Sequence, residues 1–351
     1  MSTPAPYLPS PSPAPSAADQ EALTDLYVRG TPANTLRAYE RDLLYITAWK
    51  VARFGAALDW PESEATALAF LLDHARDLKD APEDDTARQA AETLIAQGLR
   101  KSLTCPAPST LDRRIASWLA FHRMKNLSAP FDAPQVKQAR AKARRAAARP
   151  PAPKSAHPIT RDVLEQLLAT CQGSRRDCRD RGILMLGWAS GGRRRSEITG
   201  LMREDVSLKE FEKSGVVWLS LLETKTTAKG ETPRLVLKGR AAQALVHWIE
   251  VGQIDGGPLF RPISKADRVL GRRLSPDAIA QIVKHRLKLA GLPDGFASPH
   301  GLRSGFLTQA ALDGAPIQAA MRLSLHRSMA QAQKYYDDVD IAENPTADLL
   351  G

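Results

Sequence analysis

The chain has 351 residues, long enough for two domains, and its net charge of +10 with a pI near 9.6 suits a polyanionic partner without requiring one. It lacks the basic start and apolar run of a secretory signal, and no segment reaches the roughly 18 apolar residues of a membrane span. The cysteines are three in number, Cys105, Cys171 and Cys178. An odd number without a CxxC pair argues against a disulfide framework and a zinc site. We therefore expect a soluble, cytoplasmic protein that makes no contact with a membrane.

The N-terminal part of the chain divides into an unstructured tail and a helical region. Residues 1–19 are mostly Pro, Ala and Ser, which predicts a disordered tail. A helix is predicted from Thr31 as N-cap and Pro32 as first residue, because apolar side chains then recur every three or four positions up to Trp49. Three more helices are predicted at 63–78, 86–99 and 109–124. Residues 20–133 are thus expected to form an all-helical domain.

A strongly basic stretch comes next. Residues 134–154 read PQVKQARAKARRAAARPPAPK, which predicts a basic amphipathic helix followed by a proline-rich break. Such a run is also typical of a nuclear localisation signal or a membrane-surface helix, although phosphate contact is the simpler interpretation beside a hinge. We predict an interdomain linker over 134–156, with the boundary near residue 152.

The second half alternates helices with one hairpin. Helices are predicted at about 160–171, 176–190 and 240–251, and another is opened by Ser275 and Pro276. Val216–Val236 has β-branched and aromatic residues on both sides of a polar turn, the pattern of a hairpin. Lys225 stands at its tip, where a lysine could swing in and donate a proton to a leaving oxygen; Lys229 is an alternative.

Two stretches bring arginines and histidines into short helices. In Ala189–Leu201, ASGGRRRSEITGL, a helix begins around Arg194, and Glu197 in its first turn could brace an arginine. In Ser298–Tyr336, His300 and Arg303 are three apart and share one helix face, so both can point at one anion.

The same second stretch ends on a tyrosine. His326 lies in the turn between two short helices, nine residues ahead of Tyr335. A tyrosine hydroxyl, with a pKa near 10, is a poor nucleophile at neutral pH unless cations surround the group it attacks. Phosphate is such a group, and the planar fork of arginine grips two of its oxygens at once.

These elements, in this order and spacing, resemble the tyrosine recombinase (phage integrase) family. The boxes SPHGLRSGF and LHRS followed by KYY further resemble the Cre-like and plasmid-resolvase branch. The resemblance implies a mainly α fold with a small β-sheet: an all-helical core-binding (SAM-like) domain over 20–133 and an α+β catalytic domain over 157–345, which together form a C-shaped clamp on DNA. The tail 346–351, with Leu349 and Leu350, would dock on a neighbouring protomer.

The resemblance also implies a role for each site residue. Tyr335 would attack the scissile phosphate, form a 3′-phosphotyrosine and free a 5′-hydroxyl. Arg194 and Arg303 would clamp the non-bridging oxygens, and Lys225 would protonate the departing oxygen. His300 would assist proton transfer at the tyrosine. His326 would hydrogen-bond the phosphate.

The implied partners are double-stranded DNA at a specific site and three further copies of the chain, since strand exchange needs a tetramer on DNA. The protein would be a DNA strand transferase associated with nucleoid or plasmid, with no cofactor, because the covalent link stores the bond energy without ATP or metal. Asp337, Asp338 and Asp340 form one local cluster with no second set opposite, which disfavours a metal-dependent nuclease.

Four alternatives stay open. The run Arg193–Arg195 leaves the first catalytic arginine uncertain by one residue, and Arg194 is chosen because the family places it two before Ser-Glu. Tyr336 competes with Tyr335, and the nine-residue interval favours Tyr335. The chain could also be a DNA-binding or architectural protein that kept the fold and lost the reaction. On the fourth helix Arg113, Arg114 and Arg123 are either DNA contacts or a solvated basic face.

Overall fold

The computed structural model describes residues 16–148, 153–221 and 232–342. The chain divides into two compact units, residues 1–151 and 152–351. Each unit has its own apolar core. Over these described residues the architecture is mainly α with one small β-sheet, as the family resemblance implies.

The described part of the first unit is all helical. Its α-helices are α1 (Ala17–Gly30), α2 (Ala33–Phe54), α3 (Glu64–His74), α4 (Thr86–Ala96), α5 (Pro108–Met124) and α6 (Pro134–Ala146). Ser63 and Asp85 cap α3 and α4 by accepting backbone N–H bonds, as short polar side chains do at helix starts. The core is an edge-to-face aromatic chain in which Phe70 contacts Trp49 and Trp118, with ring centroids 4.9 and 5.5 Å apart.

The start of the described chain differs from the sequence prediction. Helix α1 begins inside the segment predicted to be disordered, because Ser16 and Asp19 form a reciprocal capping box. Thr31 ends α1 and does not begin the next helix: its N–H bonds to the Val28 carbonyl, and Pro32 takes the N-cap position of α2. No residue of α1 is buried.

The basic helix α6 packs within the first unit. Val136 is buried in the aromatic core, and Arg140 lies 2.8 Å from Asp112 on α5. On α5, Arg113 pairs with the buried Asp42, and the Arg114 guanidinium lies 3.3 Å from the centroid of the Tyr45 ring. Much of the positive charge that the sequence offers for DNA contact is therefore partnered inside the unit.

The described part of the second unit combines helices with a three-stranded sheet. Its α-helices are α7 (Arg161–Ala169), α8 (Arg175–Ala189), α9 (Arg195–Gly200), α10 (Phe211–Ser214), α11 (Gly239–Gly252), α12 (Pro276–Leu289), α13 (His300–Leu312), α14 (Ile317–Ser324) and α15 (Met329–Ala342). The strands β1 (Val206–Ser207), β2 (Val217–Ser220) and β3 (Arg234–Leu237) form an antiparallel sheet in that order. Strands β2 and β3 confirm the two sides of the predicted hairpin, and β1 was not predicted.

Helix α8 is the scaffold of the second unit. It packs along α11, where the buried Trp248 donates its indole N–H to the Leu259 carbonyl at 2.9 Å. On another side the buried Arg286 of α12 donates to Asp180 and Asp177 of α8 at 2.7 and 2.6 Å. Two acidic partners compensate the buried guanidinium, since an unpaired charge there would be costly. Helix α8 is thereby fixed, and so is the turn that follows it.

Candidate active site

Two glycines after α8 bring the elements of the site together. Gly191 and Gly192 have φ of +98° and +71°, a conformation that side chains disfavour. A Cβ on Gly191 would overlap the backbone of Leu323, and one on Gly192 would overlap the Arg303 Cα. Because neither glycine has a side chain, the end of α8 lies directly against α13 and the end of α14.

The three consecutive arginines have different partners. Arg193 is 2% exposed and donates to the Leu323 carbonyl at 2.6 Å. Arg194 donates to Glu197 at 2.5 Å, and its side chain remains 30% exposed. Arg195 pairs with Asp277 at 3.0 Å. Arg194 thus combines a carboxylate brace with a partly open guanidinium, which supports its choice as the first catalytic arginine.

Arg303 lies where the elements meet. Its side chain donates to the carbonyl of Gly192 at 3.0 Å and to that of Ser324 at 2.7 Å, and its Nε lies 3.2 Å from His326 Nε2. Burial lowers its pKa to about 10, and neighbouring Arg193 and Arg194 act in the same direction. The guanidinium is still charged at neutral pH. Because Arg303 is buried, water solvates this charge poorly. An anion entering here would meet an unsatisfied positive field.

His300 faces the tyrosine. Its Nε2 lies 3.3 Å from the Tyr335 hydroxyl oxygen. Burial lowers the pKa of His300 to about 4, helped by the charges of Lys154, Arg303 and Arg194. The imidazole is therefore neutral at pH 7 and can accept a proton. Burial also raises the pKa of Tyr335, with Arg303 acting against it, so the hydroxyl needs such an acceptor to react.

The adjacent tyrosine points elsewhere. Tyr336 is buried against Leu307 and Ala320, and its hydroxyl donates to the Ala315 carbonyl at 3.0 Å. Consecutive helical residues project about 100° apart, so only one of the pair can face His300. This geometry supports the tyrosine that the nine-residue interval selects.

A cavity of about 440 Å³ opens beside these groups. Its lining residues are Lys154, Arg193, Arg194, Arg195, Ser298, Pro299, His300 and Arg303. Five of the eight are cationic, and that excess of positive charge is typical of an anion site.

Lys154 is a cavity residue that sequence reasoning assigned to the linker. Its carbonyl accepts from Ser298 Oγ at 2.8 Å, and Ser155 Oγ accepts from the Ser298 N–H at 2.9 Å. Ile159 donates to the Gly301 carbonyl at 2.8 Å. These hydrogen bonds hold residues 154–159 against the start of α13, next to His300. The basic run that contains Lys154 indicates an anion-binding role. Its contact with the start of α13, more than 140 residues further along the chain, is not visible in the sequence.

The two candidate lysines of the hairpin, Lys225 and Lys229, lie outside the described residues, as does the tail with Leu349 and Leu350. Over 16–148, 153–221 and 232–342, no group of three or more His, Cys, Asp or Glu could hold a metal ion. In the same ranges, no helix is long and apolar enough to cross a bilayer.

Comparison with known proteins identifies the family. The phage integrase family model matches residues 158–340, which contain Arg194, His300, Arg303, His326 and Tyr335. The chain therefore belongs to the phage integrase family, as its motifs predict.

Individual relatives give the same assignment. An integrase/recombinase XerD homolog from Selenomonas ruminantium is 31% identical over 169 residues, 46% of this chain and 48% of the relative. Tyrosine recombinase XerD from Proteus mirabilis is 26% identical over 317 residues, 88% of this chain and 83% of the relative. The chain spans about half the length of most of the curated relatives it matches. These matches do not support the narrower Cre-like assignment, which stays a prediction.

Solved structures share the fold. The Tn1549 transposon integrase in complex with transposon right end DNA superposes with a TM-score of 0.58 at 17% identity, over 93% of this chain and 98% of that one. A lambda integrase dimer bound to a COC′ core site gives 0.54 at 15% identity, over 91% and 93%.

Proposed function

We propose that this chain is a site-specific DNA recombinase that cuts and rejoins strands through a 3′-phosphotyrosine on Tyr335. The observation that carries the proposal is the contact of the Tyr335 hydroxyl with a neutral His300 beside a cavity lined by Arg194 and Arg303. A nucleophile, a proton acceptor and two phosphate-binding cations are thus held together, as phosphoryl transfer requires.

The first step follows from this geometry. Arg194 and Arg303 hold the non-bridging oxygens of a phosphate and stabilise the charge that grows on them in the transition state. Tyr335 Oη attacks phosphorus while its proton passes to His300 Nε2, and the bond from phosphorus to the 5′ oxygen breaks. The leaving oxygen takes a proton from Lys225, whose role rests on the family resemblance.

The second step reverses the first on a different strand. A 5′-hydroxyl of the partner strand attacks the phosphotyrosine and displaces Tyr335, which regains its proton. One phosphodiester is consumed and one is formed, so the cycle needs no ATP. None of the residues that carry these steps requires a metal.

The partner in this proposal is double-stranded DNA at a specific site, with the chain assembled as a tetramer on two duplexes. Support comes from the cationic cavity and from the names of the fold neighbours, which are integrases in complex with DNA. The corresponding location is the cytoplasm, at the nucleoid or a plasmid.

A trapping assay tests the proposal. The protein is incubated, without metal or nucleotide, with a library of nicked duplexes that lose the 5′-hydroxyl fragment on cleavage. We expect an SDS-resistant adduct that peptide mapping places on Tyr335, and sequencing of the trapped DNA would give the target. DNA binding without any adduct would contradict the proposal and favour the architectural alternative. An adduct on Tyr336 would contradict the assigned nucleophile.

The exposed lysine of the cavity gives a second prediction. Lys154→Gln removes one cation, so the slope of log affinity against log salt is expected to become shallower by about 0.9, the contribution of one neutralised phosphate. Fluorescence anisotropy of a labelled duplex between low and moderate salt measures this slope. Lys209→Gln is the matched control, because Lys209 is exposed and does not line the cavity. Equal slopes for the two variants would mean that Lys154 makes no phosphate contact.

A further inference from the structure

Ser324 contacts two side chains of the candidate site. They are Arg303 of α13 and His326, which lies in the turn between α14 and α15. Ser324 is the last residue of α14 and is fully buried. Its carbonyl accepts from Arg303 Nη2 at 2.7 Å, and its hydroxyl oxygen lies 2.8 Å from His326 Nδ1. Leu325, the next residue, has φ of +53°, so the chain turns sharply and folds His326 back over Ser324.

The contacts of the His326 ring indicate which nitrogen carries its proton. Nε2 lies 3.2 Å from Arg303 Nε and 3.1 Å from Arg303 Nη2, while Nη2 is also 3.2 Å from Nδ1. A guanidinium can only donate hydrogen bonds; Nε2 has two such contacts with Arg303 and Nδ1 has one, while Nδ1 alone has the Ser324 hydroxyl as a second partner, which favours Nε2 as the acceptor. Burial, with the charges of Arg303, Arg194 and Arg193, lowers the pKa of His326 to about 4. The ring is therefore neutral at pH 7, and we assign its single proton to Nδ1, where the Ser324 hydroxyl oxygen can accept it.

We propose that Ser324 is a positioning residue, whose hydroxyl accepts from the Nδ1–H of His326 and keeps Nε2 directed at Arg303 and at an incoming phosphate. The inference rests on the proposed function and deepens it, because it explains how His326 is prepared to bind the phosphate. Neither Ser324 nor the choice of nitrogen follows from the spacing of the catalytic motif.

The arrangement serves both states of the site. In the free protein Nε2 accepts from Arg303. When a phosphate oxygen takes over the Arg303 donors, Nε2 takes up one proton from solvent and donates it in a hydrogen bond to the phosphate. The Nδ1–H donates to Ser324 Oγ before and after that change, so the ring need not turn.

The most direct effect expected from removing the Ser324 hydroxyl is a change in the tautomer of His326. In Ser324→Ala the Nδ1–H loses its acceptor, and the proton redistributes toward Nε2, where it opposes the Arg303 donors. We expect the imidazole ¹⁵N NMR signals of His326 in the free protein at pH 7 to move from the Nδ1–H pattern toward a mixture. The rate of adduct formation on a nicked duplex should fall on the order of tenfold, the effect of one hydrogen bond, with the Kd for that duplex within about twofold of wild type.

Matched variants isolate the effect. Ser190→Ala removes another fully buried hydroxyl, one that donates to the Leu186 carbonyl at 2.6 Å, and should leave the His326 signals unchanged. Ser324→Thr keeps the hydroxyl and should restore the wild-type tautomer. If Ser324→Ala does not fold, Ser324→Cys has nearly the same shape with a weak acceptor and is expected to give the same mixture.

The two proposals fail in different ways. Ser324→Ala or Ser324→Cys with the wild-type His326 tautomer would overturn the role of Ser324, whatever the enzyme does to DNA. Wild-type protein that binds the nicked duplex and forms no adduct would overturn the proposed function, while the NMR measurement on free protein still decides the tautomer.

Discussion

Replacing Tyr335 by phenylalanine is expected to abolish the covalent DNA adduct and to leave duplex binding within about twofold of wild type. Phenylalanine keeps the ring that packs against the cluster of Leu307 and Ala320 but lacks the oxygen that would attack phosphorus. His300 loses one hydrogen-bond partner, and the arginines of the cavity keep theirs. The measurement is SDS-resistant trapping on nicked duplexes, alongside a mobility-shift titration.

Tyr336→Phe is the matched control for that experiment. It also removes one hydroxyl from the same helix, but that hydroxyl bonds to the Ala315 carbonyl and not to His300. We expect adduct formation to persist and the free energy of unfolding to fall by about 1 kcal/mol, the usual net value of one hydrogen bond. An adduct with Tyr335→Phe, or its loss with Tyr336→Phe alone, would reverse the assignment of the two tyrosines.

Gly192→Ala is expected to have the second largest effect. The added methyl group overlaps the Arg303 Cα, and alanine must also adopt a φ of +71°. The left-handed conformation costs about 1–2 kcal/mol, and forcing extra volume into packed structure typically costs about 1–3 kcal/mol more. Because relief of the overlap must separate Arg303 from the Gly192 turn, to which it donates a hydrogen bond, adduct formation should be lost even where the protein still folds.

The control for this substitution is Gly200→Ala at the end of α9. Open space surrounds that position and its φ is not positive, so we expect stability and activity close to wild type. Urea unfolding followed by circular dichroism gives the stability of both variants, and trapping gives their activity. If Gly192→Ala unfolds and reacts like Gly200→Ala, close approach at the Gly191–Gly192 turn is not needed for the site.

Local signals in the sequence were enough for much of the fold. Helix α12 begins where the Ser275 cap and Pro276 predict, and the two sides of the hairpin pair as the alternation of β-branched residues indicates. Helix α1 was not predicted, although Ser16 and Asp19 form a capping box and Leu23, Leu26 and Tyr27 recur at helical spacing; all of these side chains are exposed. Strand β1 has two residues, too few for a period to be seen.

Some residues of the candidate site can likewise be predicted from local patterns in the sequence, and others depend on tertiary contacts. His300 and Arg303 follow from helical spacing, and His326 and Tyr335 follow from the family interval. Choosing among Arg193, Arg194 and Arg195 needs their burial and partners, which depend on Leu323, Glu197 and Asp277. Lys154 and Ser324 do not follow from the sequence, because their proposed roles come from tertiary contacts that no local pattern encodes.

The Gly191–Gly192 turn also bears on when the chain becomes able to react. The hydrogen bond from Arg303 to the Gly192 carbonyl joins residues 111 apart in sequence, and that from Arg193 to Leu323 joins residues 130 apart. Contacts of such long range form late, since the loop they close must be ordered before they stabilise anything. We therefore expect a ribosome-bound or partly folded chain to lack the contacts that hold its arginines and its tyrosine together. In the proposed function, the ability to break DNA therefore arises only with the folded second unit, and an unfinished protein would carry no nicking hazard for the genome that encodes it.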